Sequence, residues 1–247
     1  MIRVAVIGSN GRMGSAICEA VDRAEDLSLV ARLDAGDAIT SSSLNRADVA
    51  IEFTIPDASE ANVNAAIDAG VHVVVGTTGW TRDALERVET RASQANVGVI
   101  VAPNYSLSAV LAMRFAEQAA ALFESVEVIE LHHPDKLDAP SGTAISTAQR
   151  IAAARKARGV APSPDATQAD PDGARGAVID GVHVHGVRLR GLYAHEEILL
   201  GNTGEQLTIR QDSFDRASFM PGVLLAARQV AQHPGLTYGL EHYLNLD

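Results

Sequence analysis

Two histidines and a lysine stand close together near the middle of the chain, at His132, His133 and Lys136. They follow a run that alternates apolar and acidic residues, Ser125 to Glu130, which predicts a strand. We therefore expect all three side chains on a loop that leaves the strand. Imidazoles titrate near neutral pH and an ammonium group is cationic, so the cluster can attract a carboxylate and transfer a proton. The alternative is a strand end with surface histidines.

The start of a helix follows the same loop. Apolar residues recur at helical spacing from Ala144 to Ala152, and Ser141, Gly142 and Thr143 come directly before or at the start of that run. The first backbone N–H groups of a helix have no intrahelical partners and favour an anion. This helix start is therefore a second group that can bind a carboxylate, and the alternative is an ordinary N-cap.

A glycine motif near the N-terminus predicts a nucleotide site. Gly8, Gly11 and Gly14 lie between an apolar strand, Ile2 to Ile7, and a segment with helical spacing that begins near Met13. In that order, glycines permit a tight turn and let the backbone approach a pyrophosphate at the helix N-terminus. The spacing GxxGxxG departs from the usual GxGxxG, so the motif needs support from the rest of the unit.

Asp34 provides that support, because it ends the second predicted strand, Leu27 to Leu33, twenty residues after Gly14. A carboxylate there can accept hydrogen bonds from an adenosine ribose and repel a 2′-phosphate, and Arg12 would partly offset the repulsion. We expect both NADH and NADPH to be used, with NADH at least as good. The alternative for Asp34 is a turn residue, since Asp-Ala-Gly-Asp is also favourable turn chemistry.

Two further strand ends carry small residues. The candidates to line the nicotinamide end of a cleft are Gly76, Thr77, Thr78, Ala102, Pro103, Asn104 and Tyr105. In open α/β sheets, ligands bind outside the carboxyl ends of the strands, and small residues let a flat ring approach the backbone. The alternative is that both segments are plain strand-to-helix turns.

Composition limits the class of protein. The 247 residues are 47% hydrophobic and 4% aromatic, so the core must be mostly Val, Ile, Leu and Ala, which suits a parallel sheet covered by helices. The net charge of −11 argues against a nucleic-acid groove or an anionic membrane surface. We find no membrane-spanning run and no signal peptide, and one cysteine fits a reducing compartment, so we expect a cytoplasmic protein.

The order of the predicted elements indicates an α/β protein with two domains. Alternating strands and helices in residues 1–104 predict a Rossmann-like, doubly wound parallel sheet that binds a dinucleotide. Residues 105–215 predict a second α+β domain with a mixed or antiparallel sheet, for substrate binding, including a long surface loop at 158–176. Residues 216–247 return to the first domain with a final helix, and Leu236 to Asp247 are expected to be a short tail.

Other potentially reactive residues have simpler interpretations. His183 and His185 share one face of a predicted strand, but no third ligand stands at metal spacing, so core or interface histidines are favoured and no metal is expected. Cys18 follows the glycine loop on a helix and should face the sheet, which argues against catalysis through a thiohemiacetal.

The stretch from Glu127 to Ala144 resembles the signature of the 4-hydroxy-tetrahydrodipicolinate reductase family, also called dihydrodipicolinate reductase. That signature reads Glu-Ile/Val-x-Glu-x-His-x-x-x-Lys-x-Asp-x-Pro-Ser-Gly-Thr-Ala, and every fixed position is present. The glycine loop, Gly76-Thr-Thr and Ala102-Pro-Asn also look like cofactor motifs of the family. The length suits the whole chain, which most resembles the shorter actinobacterial members.

The resemblance implies a bacterial enzyme of lysine and diaminopimelate synthesis. The family reduces a cyclic imine dicarboxylate to tetrahydrodipicolinate with NADH or NADPH, and is usually a homotetramer built through the second-domain sheets. By this resemblance, His132 and Lys136 are the acid/base pair. The implied substrate-binding residues are His133, Lys136, Ser141, Gly142 and Thr143. The implied cofactor-binding residues are Gly8, Ser9, Asn10, Gly11, Arg12, Met13, Asp34, Gly76, Thr77, Thr78, Ala102, Pro103, Asn104 and Tyr105.

Two alternatives belong to other classes of function. A different two-domain NAD(P)-dependent dehydrogenase, acting on homoserine or a sugar, would lack the loop with paired histidines, the lysine and Ser-Gly-Thr. A protein that only senses NAD(H) has no reason to keep both a proton donor and a group that binds a dicarboxylate. Oxidation of NADH by freshly generated substrate separates these alternatives, and the hydrated or dehydrated form of the ring stays open.

Overall fold

The structure, a computed structural model, describes residues 1–245 of the chain. Two compact units are present: Met1–Leu107 with Arg216–Asp247, and Ser108–Asp215. The last two residues, at the end of the predicted tail, lie outside the described part.

Strands and helices alternate in the first hundred residues, and strands dominate the middle of the chain. The strands are β1 (Ile2–Ile7), β2 (Leu27–Leu33), β3 (Val49–Glu52), β4 (His72–Val75), β5 (Gly98–Val101), β6 (Ser125–His132), β7 (Ala177–Ile179), β8 (Val182–Arg188), β9 (Ala194–Asn202), β10 (Glu205–Ser213) and β11 (Gly235–Tyr238). The α-helices are α1 (Arg12–Arg23), α2 (Pro56–Asp68), α3 (Arg82–Ala95), α4 (Leu107–Ala119), α5 (Gly142–Ala157) and α6 (Met220–Gln229). Short 3₁₀ turns cover Ala120–Leu122, Arg216–Phe219, Val230–Gln232 and Leu240–Tyr243.

The first unit contains a six-stranded parallel sheet in the order β11-β5-β4-β3-β1-β2. Strands β3 and β5 are buried throughout and β1 is buried from Val4 to Ile7, as continuous runs of Val, Ile and Ala require when helices cover both faces of a sheet. The carboxyl ends of β1, β3 and β4 lead into the glycine loop, Phe53-Thr54 and Gly76-Thr77 respectively. The topology therefore brings the predicted nucleotide-binding segments to one edge of the sheet, and the predicted Rossmann-like class is confirmed.

One prediction for this unit is wrong. Gly235–Tyr238, which begins just before and overlaps the start of the expected tail, is a strand that pairs in parallel with β5 along Gly98 to Val101. Gly98 leaves room for this crossing, because a Cβ there would lie 2.0 Å from the carbonyl oxygen of Val230. So short a stretch carries too little periodicity to reveal this pairing from the sequence.

The second unit contains a five-stranded mixed sheet in the order β10-β9-β6-β8-β7. Strands β6 and β8 are parallel and the other pairs are antiparallel, which confirms the predicted mixed sheet. One face of the sheet packs on α5: Val126 and Val128 join Ala144, Ala148 and Ile151 in a buried cluster. We call this the inner face and the opposite side of the sheet the outer face.

Strand β6 is longer than predicted, which changes the position of one candidate residue. It extends to His132 and pairs with β8 at Arg188 and with β9 at Ala194. His132 is therefore the last residue of a central strand rather than part of the loop, while His133 and Lys136 follow on the loop. Residue His132 is paired with a strand on each side, and this pairing sets the direction of its side chain. The alternation of apolar and acidic residues up to Glu130 did not indicate that the strand continues to His132.

Candidate functional site

The glycine loop of the first unit has the backbone geometry that its sequence predicts. Gly8 has a φ of +85°, and a Cβ there would lie 2.2 Å from the carbonyl oxygen of Phe53. A Cβ on Gly14 would lie 2.0 Å from the carbonyl oxygen of Gly8. Gly11 is the N-cap of α1 and supplies no side-chain cap, so the first N–H groups of the helix face the loop.

Asp34 lies beside this loop, at the end of β2. Its carboxylate accepts hydrogen bonds from the backbone N–H of Asn10 (2.6 Å) and of Ala35 (2.8 Å). These bonds, Ala35 first, lower the pKa of Asp34, so the group is an anion at neutral pH. A carboxylate has further lone pairs, which leaves capacity to accept from a ribose hydroxyl.

Two cavities adjoin the glycine loop. The first, of about 510 Å³, is lined by Ile7, Gly8, Gly11, Asp34, Ala35, Gly36, Asp37, Ile39, Phe53, Thr54, Ile55, Ala58 and Asn62. The second, of about 310 Å³, is lined by Gly11, Arg12, Met13, Phe53, Thr54, Pro56, Gly76, Thr77 and Thr78. Of the predicted cofactor residues within the described chain, Ser9, Asn10 and the segment 102–105 line neither of these two cavities.

Tyr105 serves the core rather than these cavities. Its side chain is buried, and its hydroxyl donates to the carbonyl oxygen of Val75 (2.8 Å). Burial raises its pKa well above the usual value. Its ring lies 5.7 Å from that of Phe53, which fills the space a side chain would take at Gly76. Phe53 lines both cavities, and the sequence analysis assigned it no role.

A buried carboxylate organises the turn after β3, and it was also missed. Glu52 is fully buried and accepts hydrogen bonds from the hydroxyls of Thr54 and Ser59 (2.8 Å from Ser59) and weakly from Asn62 (3.4 Å). The backbone N–H of Thr54 donates to the Thr77 hydroxyl (2.8 Å). These bonds fix the ends of β3 and β4 against each other. An acidic residue inside an apolar strand was the available signal.

In the second unit, His132 lies directly against a buried glutamate. Its Nδ1 is 2.5 Å from Oε2 of Glu130, whose side chain is 0% exposed. Arg188 donates two hydrogen bonds of 2.7 Å to the two oxygens of Glu130. Burial alone would raise the pKa of Glu130, but the bonds from Arg188 and His132 outweigh it and hold that pKa below its ordinary value. Glu130 is therefore an anion that is hydrogen-bonded to the His132 imidazole.

The His132 imidazole is mostly uncharged at pH 7, because its pKa is lowered overall. Burial lowers its pKa, the Glu130 carboxylate raises it, and the positive charges of Lys136 and Arg188 lower it. A neutral imidazole that donates from Nδ1 to a carboxylate has an unprotonated Nε2. His132 can then exchange a proton at Nε2 with a bound group that lies within hydrogen-bond distance of this nitrogen.

Lys136 lies on the loop that follows the strand. Its Nζ donates to Oδ1 of Asp138 (2.6 Å), and this bond lowers the pKa of the Asp138 carboxyl. The loop folds back through Arg188, which also donates to the carbonyl oxygen of Asp138 (2.7 Å). The His133 ring lies 6.2 Å from that of Tyr193. The charge of Lys136 acts on His132, whereas the ring contact of His133 is with Tyr193.

The N-terminus of α5 completes this group. Ser141 is the N-cap: its hydroxyl accepts from the N–H of Ala144 (3.1 Å), and its own N–H donates to Glu130 (3.3 Å). Ser141 is therefore buried and engaged. Gly142 is exposed with open space where a side chain would stand, and Thr143 follows it at the helix start. The N–H groups of this first turn suit a carboxylate.

A second carboxyl on the inner face was not foreseen. Glu196 on β9 pairs directly with Glu130 across the sheet, and its Oε1 is buried without a hydrogen-bond partner. Burial raises the pKa of Glu196 to about 7, against a lowering by the Thr147 hydroxyl. Neither Arg188 nor Glu196 is close in sequence to the motif, so only the strand pairing reveals them.

The residues set aside have the surroundings expected of structural groups. The rings of His183 and His185 stack at 6.5 Å on the outer face, and Nε2 of His185 is 2.7 Å from Glu127. Cys18 is buried, and burial raises the pKa of its thiol. Within residues 1–245, no three His, Cys, Asp or Glu side chains are arranged to hold a metal ion. Over the same residues, each helix is too short or too polar to cross a bilayer.

Comparisons with known proteins identify the family of the chain. Residues 2–105 match the family model described as dihydrodipicolinate reductase, N-terminus, and residues 108–244 match that of the C-terminus. A 4-hydroxy-tetrahydrodipicolinate reductase from Beutenbergia cavernae is 64% identical over 99% of both chains. One from Streptomyces avermitilis is 56% identical over 100% of this chain and 99% of that protein.

A solved structure gives the same result for the fold. A dipicolinate-bound dihydrodipicolinate reductase from Paenisporosarcina sp. TG-14 superposes with a TM-score of 0.89 at 39% identity, covering 99% of this chain and 100% of that one. Both halves and the whole length point to the same relatives, and so the chain belongs to the dihydrodipicolinate reductase family.

Proposed function

We propose that this protein is a 4-hydroxy-tetrahydrodipicolinate reductase, which reduces a cyclic imine dicarboxylate to tetrahydrodipicolinate in the synthesis of lysine and diaminopimelate. Relatives that bear this name match the chain over nearly its whole length. The observation that carries the proposal is the cluster in the second unit, where His132 and the start of α5 are both hydrogen-bonded to one buried carboxylate and the charge of Lys136 acts on His132. A binding protein without turnover would not need a proton-transfer group beside an anion site.

The first unit binds NADH or NADPH in this proposal. The fit rests on Gly8 and Gly14, where any side chain would collide with backbone, and on the 510 Å³ cavity whose lining includes the Asp34 carboxylate. The N–H groups at the start of α1 hold the pyrophosphate, and Asp34 accepts from the adenosine ribose. When bound, the dihydronicotinamide supplies a hydride. Gly76 to Thr78 and Ala102 to Tyr105 remain the proposed lining of its nicotinamide end, with Tyr105 contributing its backbone because its side chain is buried in the core.

In this proposal, the second unit binds the two carboxylates of the substrate. The Lys136 ammonium has three donors, so it can bind one carboxylate while it keeps its bond to Asp138. The N–H groups of Gly142 and Thr143, with the Thr143 hydroxyl, bind the other carboxylate at the start of α5. His133 adds a donor from the loop. Ser141 acts through its cap, because its own polar groups are already engaged.

Hydride addition to a conjugated imine leaves electron density that a proton must neutralise. Lys136 supplies that proton, and His132 passes or replaces it through Nε2. Lys136→Ala should therefore lower kcat by roughly 10²-fold or more. The Kd for NADH should stay near wild type, because the nucleotide is bound by the first unit. His132→Ala should have a similar effect, and Thr143→Ala should mainly raise the KM for the dicarboxylate.

The test is steady-state kinetics with freshly generated substrate, beside a fluorescence titration with NADH. Lys156→Ala is the matched control for Lys136, because that lysine is exposed in the last turn of α5. His185→Ala is the control for His132. A near-normal kcat in Lys136→Ala would show that Lys136 is not the proton donor. Loss of NADH binding in this variant would show that Lys136 belongs to the cofactor site and not to the substrate site.

We further propose that both nicotinamide cofactors are used, with NADH at least as good as NADPH. Asp34 is held as an anion, which disfavours a 2′-phosphate, and Arg12 in the adjoining loop partly offsets that charge. The measurement is kcat/KM for each cofactor. A tenfold preference for NADPH, about 1.4 kcal/mol, would contradict the role given to Asp34.

We also propose a homotetramer assembled through the outer faces of the second-unit sheets. This face carries apolar side chains between its charged pairs: Ile129 and Leu199 are partly buried, and Val178 is 59% exposed. Such a mixture is usual for an interface between copies of one chain. Light scattering after size exclusion gives the mass directly, and a monomer at micromolar concentration would exclude the proposal.

A further inference from the structure

Glu130 links the His132 imidazole to Arg188 and to the start of α5. It accepts from His132 on its own strand, from Arg188 on β8, and from the N–H of Ser141 at the start of α5. Its Oε1 and Oε2 are both occupied, and its side chain is 0% exposed. Gly186 stands opposite it on β8, where a Cβ would lie 3.1 Å from Oε1. The sheet is therefore built to leave room for this carboxylate.

The bond between Glu130 and His132 decides which ring nitrogen carries the proton. A carboxylate only accepts hydrogen bonds, so Nδ1 must be the donor across the 2.5 Å contact. Arg188 cannot lose its proton and holds Glu130 in the anionic form from the other side. The neutral imidazole then presents an unprotonated Nε2, and the imidazolium presents an N–H at the same place.

The charged groups around His132 act in opposite directions. Glu130 favours the imidazolium, while burial and the positive charges of Lys136 and Arg188 oppose it. Asp138 neutralises part of the Lys136 charge, and Glu196 stands beside Glu130 on β9. Of these groups, Glu130 is the only anion in direct contact with the ring. Its removal should leave the imidazole surrounded by cations and more strongly biased to the neutral form.

We propose that Glu130 is a positioning residue of the reaction: it orients His132 with Nδ1 towards the protein and Nε2 towards the substrate, and it makes protonation of the ring possible there. This inference rests on the role given to His132 under the proposed function. It adds that the active tautomer is imposed by a carboxylate that does not itself contact the substrate. In a serine protease, loss of the carboxylate that sets the tautomer of the histidine lowers kcat by about 10⁴.

Glu130→Gln tests the proposal with little change of shape. The amide oxygen can still accept from Arg188, but the NH₂ group that then faces His132 can only donate. In the neutral ring, Nδ1 must then be the unprotonated nitrogen that accepts from the amide, and the proton must lie on Nε2. This is the reverse of the proposed arrangement. We expect kcat to fall at least about tenfold, with the KM for the dicarboxylate within about threefold and the Kd for NADH unchanged.

The decisive readout is the ¹⁵N spectrum of the histidine side chains, with the His132 signals assigned by their loss in His132→Ala. In the wild-type protein above the pKa of His132, the proton should reside on Nδ1; a proton on Nε2 overturns the proposal without any Glu130 variant. In Glu130→Gln it should move to Nε2, and the titration of His132 should move to lower pH. An unchanged tautomer and titration, even with a lower kcat, would reduce Glu130 to a structural residue.

Glu127→Gln is the matched control, because Glu127 lies on the same strand and also accepts from an arginine and a histidine. It should leave the His132 signals and kcat at wild-type values. Failure of the proposed function has a different result: His132→Ala would retain kcat. An inactive His132→Ala together with a fully active Glu130→Gln contradicts only the role of Glu130.

Discussion

On each face of β6, a glutamate of this strand is bound to an arginine and a histidine, but the surroundings of the two clusters differ. On the inner face, Glu130 accepts from Arg188 and His132. On the outer face, Glu127 accepts from Arg175 and His185. Residues three apart on a strand point to opposite faces, so the strand alternation itself separates the two clusters.

Burial distinguishes the clusters more than hydrogen bonding does. The Glu130 side chain is 0% exposed, and that of Glu127 is 31% exposed. In both carboxyls, hydrogen bonds from the arginine and the histidine outweigh burial and lower the pKa. In the single chain, water can replace lost partners on the outer face, but not on the inner face. The same residue types are thus a surface ion pair in one place and a fixed support for chemistry in the other.

The neighbours of each histidine also differ. His132 ends its strand beside Lys136 and the start of α5, whereas His185 lies in mid-strand and stacks on His183. A proton-transfer group needs an open position for the substrate next to a held position for its partner. Only the strand end provides both, which is why we assign chemistry to the inner cluster and assembly to the outer face.

The largest expected difference between the clusters is in stability. Arg188→Met leaves a buried carboxylate with only His132 and one backbone N–H as partners, and should lower the free energy of unfolding by about 3–5 kcal/mol. Arg175→Met should lower it much less, because Glu127 is 31% exposed in the single chain and keeps its contact with His185. Urea denaturation at pH 7 and one protein concentration measures both. Equal losses would mean that the inner cluster is as accessible to water as the outer one.

The sequence predicted the first unit well because its signals are local. The strand Leu27–Leu33 has the predicted bounds, and the helix after the glycine loop begins at Arg12, next to the predicted Met13, since continuous apolar runs and helical spacing lie within one segment. Strand Gly235–Tyr238 was missed, because its place beside β5 depends on partners that lie far away along the chain.

The candidate site was predicted only where the motif is contiguous. His132, His133 and Lys136 lie within five residues, and so their grouping follows from the sequence. Arg188 enters through the pairing of β6 with β8, and Glu196 through the pairing with β9. Strand register is set by the whole sheet, so neither residue carries a local sign of its role. Glu130 was part of the motif, but its proposed role depends on Arg188, which holds it as an anion.

A second difference between the faces concerns pH. Glu196 on the inner face has a pKa of about 7 instead of 4.5, so between these values the folded protein holds a proton that the unfolded chain has lost. Stability should therefore fall as the pH rises through this window, by up to about 3 kcal/mol at about 1.4 kcal/mol per pKa unit. Glu196→Gln removes the titrating group and should be stabilising above pH 7 but nearly neutral below pH 4.5.

The control for that exchange is Glu197→Gln, one residue along the strand on the outer face, where Glu197 pairs with Arg210. Urea denaturation at several pH values between 4.5 and 8 gives both curves. If the difference between Glu196→Gln and wild type does not grow with pH, then Glu196 is charged in the folded protein and its burial is matched by partners.

The smallest expected difference between the faces is in how salt changes the free energy of unfolding of the variants. Glu127 is 31% exposed in the single chain, so Glu127→Gln should lower the free energy of unfolding by about 0.5 kcal/mol in 50 mM NaCl. Most of that loss should vanish in 0.5 M NaCl, because salt screens charges that water can reach. The loss caused by Glu130→Gln should be larger and insensitive to salt, since its carboxylate is enclosed by Arg188, His132 and the start of α5. Urea denaturation of both variants at the two salt concentrations makes the comparison. Equal salt dependence would show that exposure, measured as 0% against 31% for the two side chains, does not control the strength of these clusters.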